Sequence, residues 1–164
     1  MKVDGRVDVP QAPGKRVAIV SARFYPALTE WLEDGAQRAL DACGISAERR
    51  TLVRVPGCFE LPLAAARIIA AENVDAVVAL GVIVRGETPH FEYIAGECAR
   101  GLMSVQLSTG VPIGFGVLTT ETLAQAEERA DPLRGDKGFE ATVAALTVAL
   151  IGERAREGVI GFRR

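Results

Sequence analysis

His90 is the only histidine in the chain, and it follows a turn whose residues suit an anion. Gly86 lets the backbone approach an anion. The N–H groups ahead of the next helix, together with the Thr88 hydroxyl, can donate hydrogen bonds to phosphate oxygens. Histidine side chains exchange protons near neutral pH, so His90 could act as an acid–base group beside a bound phosphate. The pattern predicts a phosphate site with a proton-transfer residue, although turns of this composition also occur for structural reasons alone.

The same turn is a near miss for a nucleotide-binding motif. Residues 81–88 read Gly-x-x-x-x-Gly-Glu-Thr, whereas the P-loop reads Gly-x-x-x-x-Gly-Lys-Ser/Thr. Glu87 therefore stands in place of the lysine that reaches the terminal phosphates, and it carries the wrong charge. No acidic residue at the end of another predicted strand suits magnesium. A nucleotide triphosphatase is the weaker interpretation.

A second turn of similar type lies at residues 56–62, PGCFELP. Pro-Gly forces the chain to turn, Cys58 and Phe59 lie in the turn, and Glu60 opens a helix. A carboxylate at that position either stabilises the positive end of the helix or accepts hydrogen bonds from ligand hydroxyls. The spacing favours neither role of Glu60 over the other.

Two phenylalanines and two cations complete the set of residues that could contact a ligand. Phe24 follows the first predicted strand and Phe115 lies within the fourth; each is either a core residue or a ring on which a planar ligand stacks. Arg129 and Lys137 flank a glycine-containing loop. Exposed cations are usually solvated, but two together can neutralise a phosphate.

The elements that position these residues alternate along the chain. Short apolar runs predict strands at about residues 16–22, 51–55, 76–80 and 112–118, the last ended by a pair of threonines. Apolar residues at helical spacing predict helices at about residues 26–44, 60–72, 90–107, 121–130 and 139–156. Gly44 is the predicted stop of the first helix, and Thr120 is the predicted N-cap of the fourth.

This alternation indicates right-handed βαβ units. We therefore expect an α/β fold: a three-layer α/β/α sandwich around a four-stranded parallel sheet, of the flavodoxin-like type. In open parallel sheets, ligands bind in the crevice beyond the carboxyl ends of the strands. The turns that carry Glu60 and His90 both follow strands, so both should lie at that edge.

Length, composition and net charge limit the classes of protein to which the chain can belong. The 164 residues suit one compact domain, and 49% hydrophobic against 24% charged residues is a globular balance. A formal net charge of −2 gives no electrostatic case for nucleic acid or anionic membranes. We expect a flexible N-terminal arm at residues 1–14, one domain at 15–156 and a tail at 157–164. Three scattered cysteines predict reduced thiols in a cytoplasmic protein, and a single histidine argues against a metal site.

Three segments in register resemble the 6,7-dimethyl-8-ribityllumazine synthase (lumazine synthase) family: VPGCFELP, GVIVRGETPHFEY and FGVLTTETLAQAEERA followed by GDKG. The resemblance covers roughly residues 16–150. It implies a transferase that condenses 5-amino-6-(D-ribitylamino)uracil with 3,4-dihydroxy-2-butanone 4-phosphate and releases phosphate and water. This is the penultimate step of riboflavin biosynthesis, and the family needs neither metal nor cofactor.

The resemblance also implies roles for individual residues. Phe24 would stack on the pyrimidine, Glu60 would accept hydrogen bonds from ribityl hydroxyls, and His90 would transfer protons. Further contacts to the pyrimidine and its ribityl chain would come from Cys58, Phe59, Val82, Ile83, Val84, Phe115 and Lys137. The phosphate would be held by Gly86, Glu87, Thr88 and Arg129. Of these residues, three would reach the site from a neighbouring subunit: Phe115, Arg129 and Lys137. Cys58 replaces the family's usual Ala or Ser and could make the site sensitive to oxidation.

Self-association follows from such a shared site. The resemblance implies homopentamers and, because the loop at residues 130–138 is short, an icosahedral assembly of 60 subunits. It also suggests an association with riboflavin synthase. The other expected partners are the small-molecule substrates; nucleic acid and membranes are not expected. The alternative is a related protein of the same fold that binds flavins or lumazines with little turnover. Retention of His90, Arg129 and Lys137 together favours the enzyme.

Overall fold

The computed structural model describes residues 8–156, apart from the side chains of the last three of them. Its single sheet contains four parallel strands: β1 (Val17–Ala22), β2 (Arg50–Val55), β3 (Ala76–Val84) and β4 (Ile113–Thr120). Their order in the sheet is β2-β1-β3-β4, and every neighbouring pair is parallel. The predicted four-stranded parallel sheet is confirmed.

Helices cover both faces of the sheet and complete the predicted three-layer sandwich. They are α1 (Pro26–Ala42), α2 (Leu61–Ala71), α3 (His90–Thr109), α4 (Leu123–Ala130), α5 (Lys137–Ala149) and α6 (Ile151–Arg156). The side chains of β1 alternate between the two faces, as strand geometry requires. Val17 and Ile19 pack with residues of α1 and α5, whereas Ala18 and Val20 pack with residues of α2 and α3. Because both faces are covered, all six residues of β1 are buried.

The central strand is longer than predicted. The sequence pattern placed its end before Gly81, but β3 continues to Val84. Gly81 is not a strand breaker here; it provides space, because a Cβ at this position would lie 2.5 Å from the Cys58 sulfur. The extension carries the strand to the edge of the sheet where the site was predicted.

The neighbouring edge strand is also longer than predicted. β4 runs to Thr120, which is in register with Val84, so the threonine pair belongs to the strand and does not end it. The predicted N-cap at Thr120 is therefore wrong. Thr122 caps α4, and its hydroxyl accepts a hydrogen bond from the Gln125 N–H at 3.2 Å. The Thr120 hydroxyl instead donates to the Thr122 carbonyl at 2.9 Å.

Two helix boundaries depend on left-handed backbone. Gly44 has φ 75 and stops the first helix, as predicted. The predicted last helix starts two residues earlier, at Lys137, directly after Asp136 with φ 44. It is also divided, because Leu150 lies between α5 and α6.

The chain ahead of β1 packs against the domain. Ala12 is buried, its N–H donates to the Cys43 carbonyl at 2.8 Å, and Gln11 donates to the Ala42 carbonyl. The first half of the predicted arm (1–7) and the predicted tail (157–164) lie outside the described residues. Across residues 8–156, no helix is both long and apolar enough to span a membrane.

Candidate active site

A cavity of about 700 Å³ opens at the carboxyl ends of β1 and β3. These strands are neighbours in the middle of the sheet, but they lead to helices on opposite faces, α1 and α3. Connections that diverge in this way leave a crevice, which is where open α/β sheets bind ligands. The cavity is lined by Phe24, Tyr25, Gly57, Cys58, Phe59, Glu60, Val82, Ile83, Val84, Gly86, Thr88, His90, Phe91 and Ile94.

Aromatic rings form the wall beyond β1. The Phe24 side chain is 69% exposed although it is large and apolar. It contacts the edge of Tyr25, with the ring centroids 5.2 Å apart and the planes at 66°. An exposed ring held by a second ring at the mouth of a cavity is suited to stacking against a planar ligand.

The turn after β2 forms the floor and carries the Glu60 carboxylate. A short 3₁₀ helix, Cys58–Glu60, leads into α2. Glu60 occupies the N-cap position of α2 but makes no capping hydrogen bond with its side chain. The carboxylate accepts no hydrogen bond from the described part of the chain, so it can accept one from a ligand. This geometry favours the ligand-binding alternative for Glu60.

Cys58 lies at the bottom of the cavity with only 4% of its surface exposed. Its sulfur is 3.9 Å from the Val82 carbonyl oxygen. Burial raises the pKa of the Cys58 thiol to about 12, and the nearby Cys98 and Glu60 add to the shift. The thiol is therefore protonated at neutral pH, which makes it an apolar surface and not a nucleophile.

The opposite wall is the turn between β3 and α3. Gly86 and Thr88 lie in the turn, and His90 is the first residue of α3. The first N–H groups of a helix have no partner within it, so this end of α3 carries partial positive charge toward the cavity. Thr88 and His90 are exposed, and their side chains make no hydrogen bond with residues 8–156. Their polar atoms are available to a ligand.

The single chain brings together most of the predicted site residues, but not all of them. Glu87 lies in the turn without lining the cavity. Phe115 lies on the edge strand β4, in register with Ala79 and short of the carboxyl end of the strand. It is 46% exposed. Arg129 donates to the Gln125 carbonyl at 3.1 Å, and Lys137 pairs with Glu140. Within one subunit Phe115, Arg129 and Lys137 do not line the cavity.

Four lining residues were not among the predicted site residues: Tyr25, Gly57, Phe91 and Ile94. Tyr25 and Gly57 directly adjoin predicted positions, so their neighbours in sequence were the available signal. Ile94 lies four residues after His90 and hence on the same face of α3. The apolar face of that helix was predicted, but it was interpreted as core packing alone.

The arrangement can hold two different ligands side by side. Apolar surface and aromatic rings suit a planar ring, the helix end suits an anion, and His90 lies at the anion-binding wall where it can move protons. Two reactants held in one cavity gain rate from proximity and orientation. The geometry therefore suits a planar ligand and a phosphorylated one held together beside a proton-transfer residue.

The chain is similar to one protein family over most of its length. A family model described as 6,7-dimethyl-8-ribityllumazine synthase matches residues 14–152. A protein of that name from Kineococcus radiotolerans is 52% identical over 158 residues, covering 93% of this chain and 96% of the relative. A protein of the same name from Edwardsiella ictaluri is 50% identical, covering 88% of this chain and 91% of the relative. Another from Gemmatimonas aurantiaca is 44% identical, covering 89% of each chain.

Proposed function

The chain belongs to the 6,7-dimethyl-8-ribityllumazine synthase family, and we propose that the cavity between Phe24 and His90 is where it carries out the family's reaction. It is a transferase of riboflavin biosynthesis that condenses 5-amino-6-(D-ribitylamino)uracil with 3,4-dihydroxy-2-butanone 4-phosphate. The products are 6,7-dimethyl-8-ribityllumazine, phosphate and water.

One observation supports this use of the cavity above all others. The same crevice holds an exposed aromatic ring on one wall and, on the other, a helix start that carries Thr88 and His90. A planar pyrimidine and a phosphate ester need these two different surfaces within reach of each other. Glu60, on the floor between them, faces where the ribityl hydroxyls would lie.

The two walls divide the reaction between them. With the pyrimidine stacked on Phe24, its free amine attacks the ketone of the second substrate, and loss of water gives an imine. Phosphate then leaves, and the resulting enol tautomerises to a ketone. The second nitrogen attacks this ketone, and loss of a second water closes the ring. Each of these steps moves protons, which His90 accepts and returns. Thr88 and the N–H groups of the Gly86 turn hold the phosphate until it departs.

We further propose that the site is completed by a neighbouring subunit. Phe115, Arg129 and Lys137 lie away from the cavity of their own chain, which is the arrangement expected if they act across an interface. The active species would then be a homopentamer, and the short loop at residues 130–138 favours pentamers packed into a 60-subunit shell. Association with riboflavin synthase, which uses the product, belongs to the same proposal.

The proposed place of the reaction is the cytoplasm, where thiols stay reduced. The three free cysteines of the described chain, Cys43, Cys58 and Cys98, are buried and unpaired with one another, in keeping with a reducing compartment.

Release of phosphate tests the function most directly. Mixing the purified protein with both substrates should release phosphate and form a lumazine absorption band together, faster than the same mixture without protein. Either substrate alone should release none. Tight binding of a flavin or lumazine without acceleration of phosphate release would instead assign the chain to the binding alternative.

A further inference from the structure

Arg85 connects the two ends of the turn that carries the proposed phosphate site. It follows β3 directly, and its backbone N–H donates to the Thr120 carbonyl at 2.9 Å, which fixes it to β4. Its guanidinium Nε donates to the Glu121 carboxylate at 2.6 Å. A second guanidinium nitrogen donates to Glu92, in the first turn of α3. One side chain thus joins the ends of two strands to the start of the helix.

The same guanidinium also covers an aromatic wall of the cavity. Its central carbon lies 4.3 Å from the centroid of the Phe91 ring, within the range of a cation–π contact. Phe91 lines the cavity next to His90. Arg85 therefore holds Phe91 and Glu92, the two residues that directly follow His90.

The turn between these anchors has little support of its own. Gly86 is exposed, and a Cβ added there would meet nothing within 4 Å, so no other residue packs against that side of the backbone. Thr88 and His90 are exposed, and neither side chain bonds to the described part of the chain. The positions of the residues that would meet the phosphate consequently depend on how the ends of the turn are held.

We propose that Arg85 is a positioning residue for the condensation. It holds the turn of residues 86–89 and the start of α3 in the geometry that presents Thr88 and His90 to the phosphorylated substrate. It does not itself line the cavity. This inference rests on the proposed function of the cavity, and it gives a role to Arg85, which is not among the predicted site residues.

The charges around the turn support a second part of the same role. Glu92 and Glu121 both pair with Arg85 next to the turn, and either carboxylate would repel a phosphate dianion bound at the turn. Arg85 engages both of them at once, as the planar fork of a guanidinium allows. Removal of the guanidinium would leave two unpaired negative charges beside the turn.

The competing explanation is an ordinary pair of surface ion pairs. Such pairs contribute little to stability when they are exposed, and the Arg85 side chain is 37% exposed. A structural role of that kind predicts a small stability change and no change in catalysis. Misplacement of catalytic groups by about 1 Å, in contrast, can slow a reaction by about a hundredfold.

The test compares Arg85→Met and Arg85→Lys with Arg100→Met. Arg100 is a matched control because it forms an ion pair with Glu97 on the same helix, away from the cavity. Arg85→Met should lower kcat/KM by about tenfold to a hundredfold. The loss should fall on kcat and on KM for the butanone phosphate, with KM for the pyrimidine within about twofold of the parent. The kcat/KM of Arg85→Lys should lie between that of the parent and that of Arg85→Met, because lysine cannot engage both carboxylates in one plane.

Hydrogen exchange provides a readout that needs no substrate. The amides of residues 86–88 and 90–92 should exchange faster in Arg85→Met than in the parent, whereas their exchange rates in Arg100→Met should be unchanged. The thermal midpoint of Arg85→Met should stay close to that of the control. Activity of Arg85→Met within twofold of the parent, an equal loss in Arg100→Met, or unchanged exchange in the turn would overturn the positioning role. A parent protein that releases no phosphate would count against the proposed function, and the exchange comparison would still decide whether Arg85 holds the turn.

Discussion

Arg38 and Asp136 form a two-pronged ion pair between α1 and the start of α5. Two guanidinium nitrogens of Arg38 donate to the two carboxylate oxygens of Asp136, each at 2.9 Å. Asp136 has φ 44 and ψ 45, so it is a left-handed residue that is not glycine. The ion pair raises the pKa of the Arg38 guanidinium above its ordinary value. It also fixes the residue directly before Lys137, one of the predicted site cations.

The first prediction separates the ion pair from the backbone conformation. Asp136→Asn keeps a side chain that tolerates left-handed backbone but removes the charge, so it should lower the free energy of unfolding by about 1 kcal/mol at most, since Arg38 is partly exposed. Asp136→Ala should cost about 1–2 kcal/mol more, because alanine disfavours that conformation. Asp34→Asn is the control, as it breaks only the neighbouring i,i+4 pair of Arg38. Urea unfolding measures all three; equal losses in the Asn and Ala variants of Asp136 would contradict the backbone argument.

The ion pair between Arg38 and Asp136 is an example of a feature that could not be predicted from the sequence. The sheet and its helices were predictable because apolar periodicity is a local property. The turns with Glu60 and His90 were predicted to meet because parallel strands bring their carboxyl ends to one edge. The start of α5 was not predictable, since the left-handed Asp136 depends on Arg38, which is 98 residues away in the chain. Gly81 likewise looked like a strand end until its packing against Cys58 was known.

The site itself was predictable in part for the same reason. Residues next to a strand end, such as Phe24 and Thr88, could be placed from local patterns. Phe115, Arg129 and Lys137 were candidates from residue type and position, but their action from a neighbouring subunit came from family resemblance. None of the three lines the cavity of its own chain. A residue that acts across a subunit interface leaves no periodic signal in the sequence. Arg85 was missed because its partners lie in separate parts of the chain, Glu92 in α3 and Glu121 in the turn after β4.

The second prediction concerns stability in acid and the buried carboxylate of Glu33. Burial alone would raise the pKa of Glu33, but hydrogen bonds from Arg54 at 2.7 Å and from the Ser21 hydroxyl at 2.6 Å outweigh it, so the pKa is lowered overall. A carboxyl with a lowered folded pKa adds stability above its unfolded pKa and loses it as the pH falls through the folded value. Stability should therefore decrease as the pH falls below about 4.5.

Glu33→Gln tests that contribution. It should be less stable than the parent at pH 7 and should lose less stability than the parent between pH 5 and pH 3. Thermal unfolding across this range measures the difference. Glu30→Gln is the matched control, because Glu30 also lies on α1 and pairs with an arginine, Arg23, but is exposed. Parallel pH curves for the parent and Glu33→Gln would show that Glu33 does not contribute.

The third prediction is that Cys58 is inert in the folded protein. A pKa of about 12 leaves roughly one thiol in ten thousand ionised at pH 8, and the sulfur is buried as well. Iodoacetamide at pH 8 should modify Cys58 far more slowly in the native protein than in guanidinium, as measured by mass spectrometry. The oxidation sensitivity suggested by its position beside the ligand is therefore not expected. Rapid native alkylation of Cys58 would show that the cavity floor opens.

The fourth prediction assigns proton transfer to His90. His90→Asn keeps a polar side chain of similar size without an acid–base group, and it should slow turnover by about 10²–10⁴-fold. The fold and the affinity for the pyrimidine should be preserved, because the His90 side chain makes no hydrogen bond with the described residues and lies on the phosphate wall. Lumazine absorbance follows the rate and ligand titration follows binding. A rate equal to that of the parent would remove His90 from the mechanism.

The last prediction tests whether two subunits share one site. Arg129 is exposed on α4 and does not line the cavity of its own chain, so Arg129→Ala should impair a neighbour's site and leave its own walls intact. The loss should appear mainly as a higher KM for the butanone phosphate, since a charge-assisted partner of the phosphate is removed. His90→Asn damages the other half of the same site.

Mixing the two impaired proteins after dissociation and reassembly then distinguishes shared from separate sites. In a mixed ring, some interfaces join an intact His90 to an intact Arg129. The activity of the mixture should therefore rise above the average activity of the two variants measured separately. If both residues served the site of their own chain, every subunit would remain defective and mixing would restore nothing. Light scattering of the same samples establishes the ring: a monomer with full activity contradicts the shared site, whereas a stable free pentamer contradicts only the 60-subunit shell.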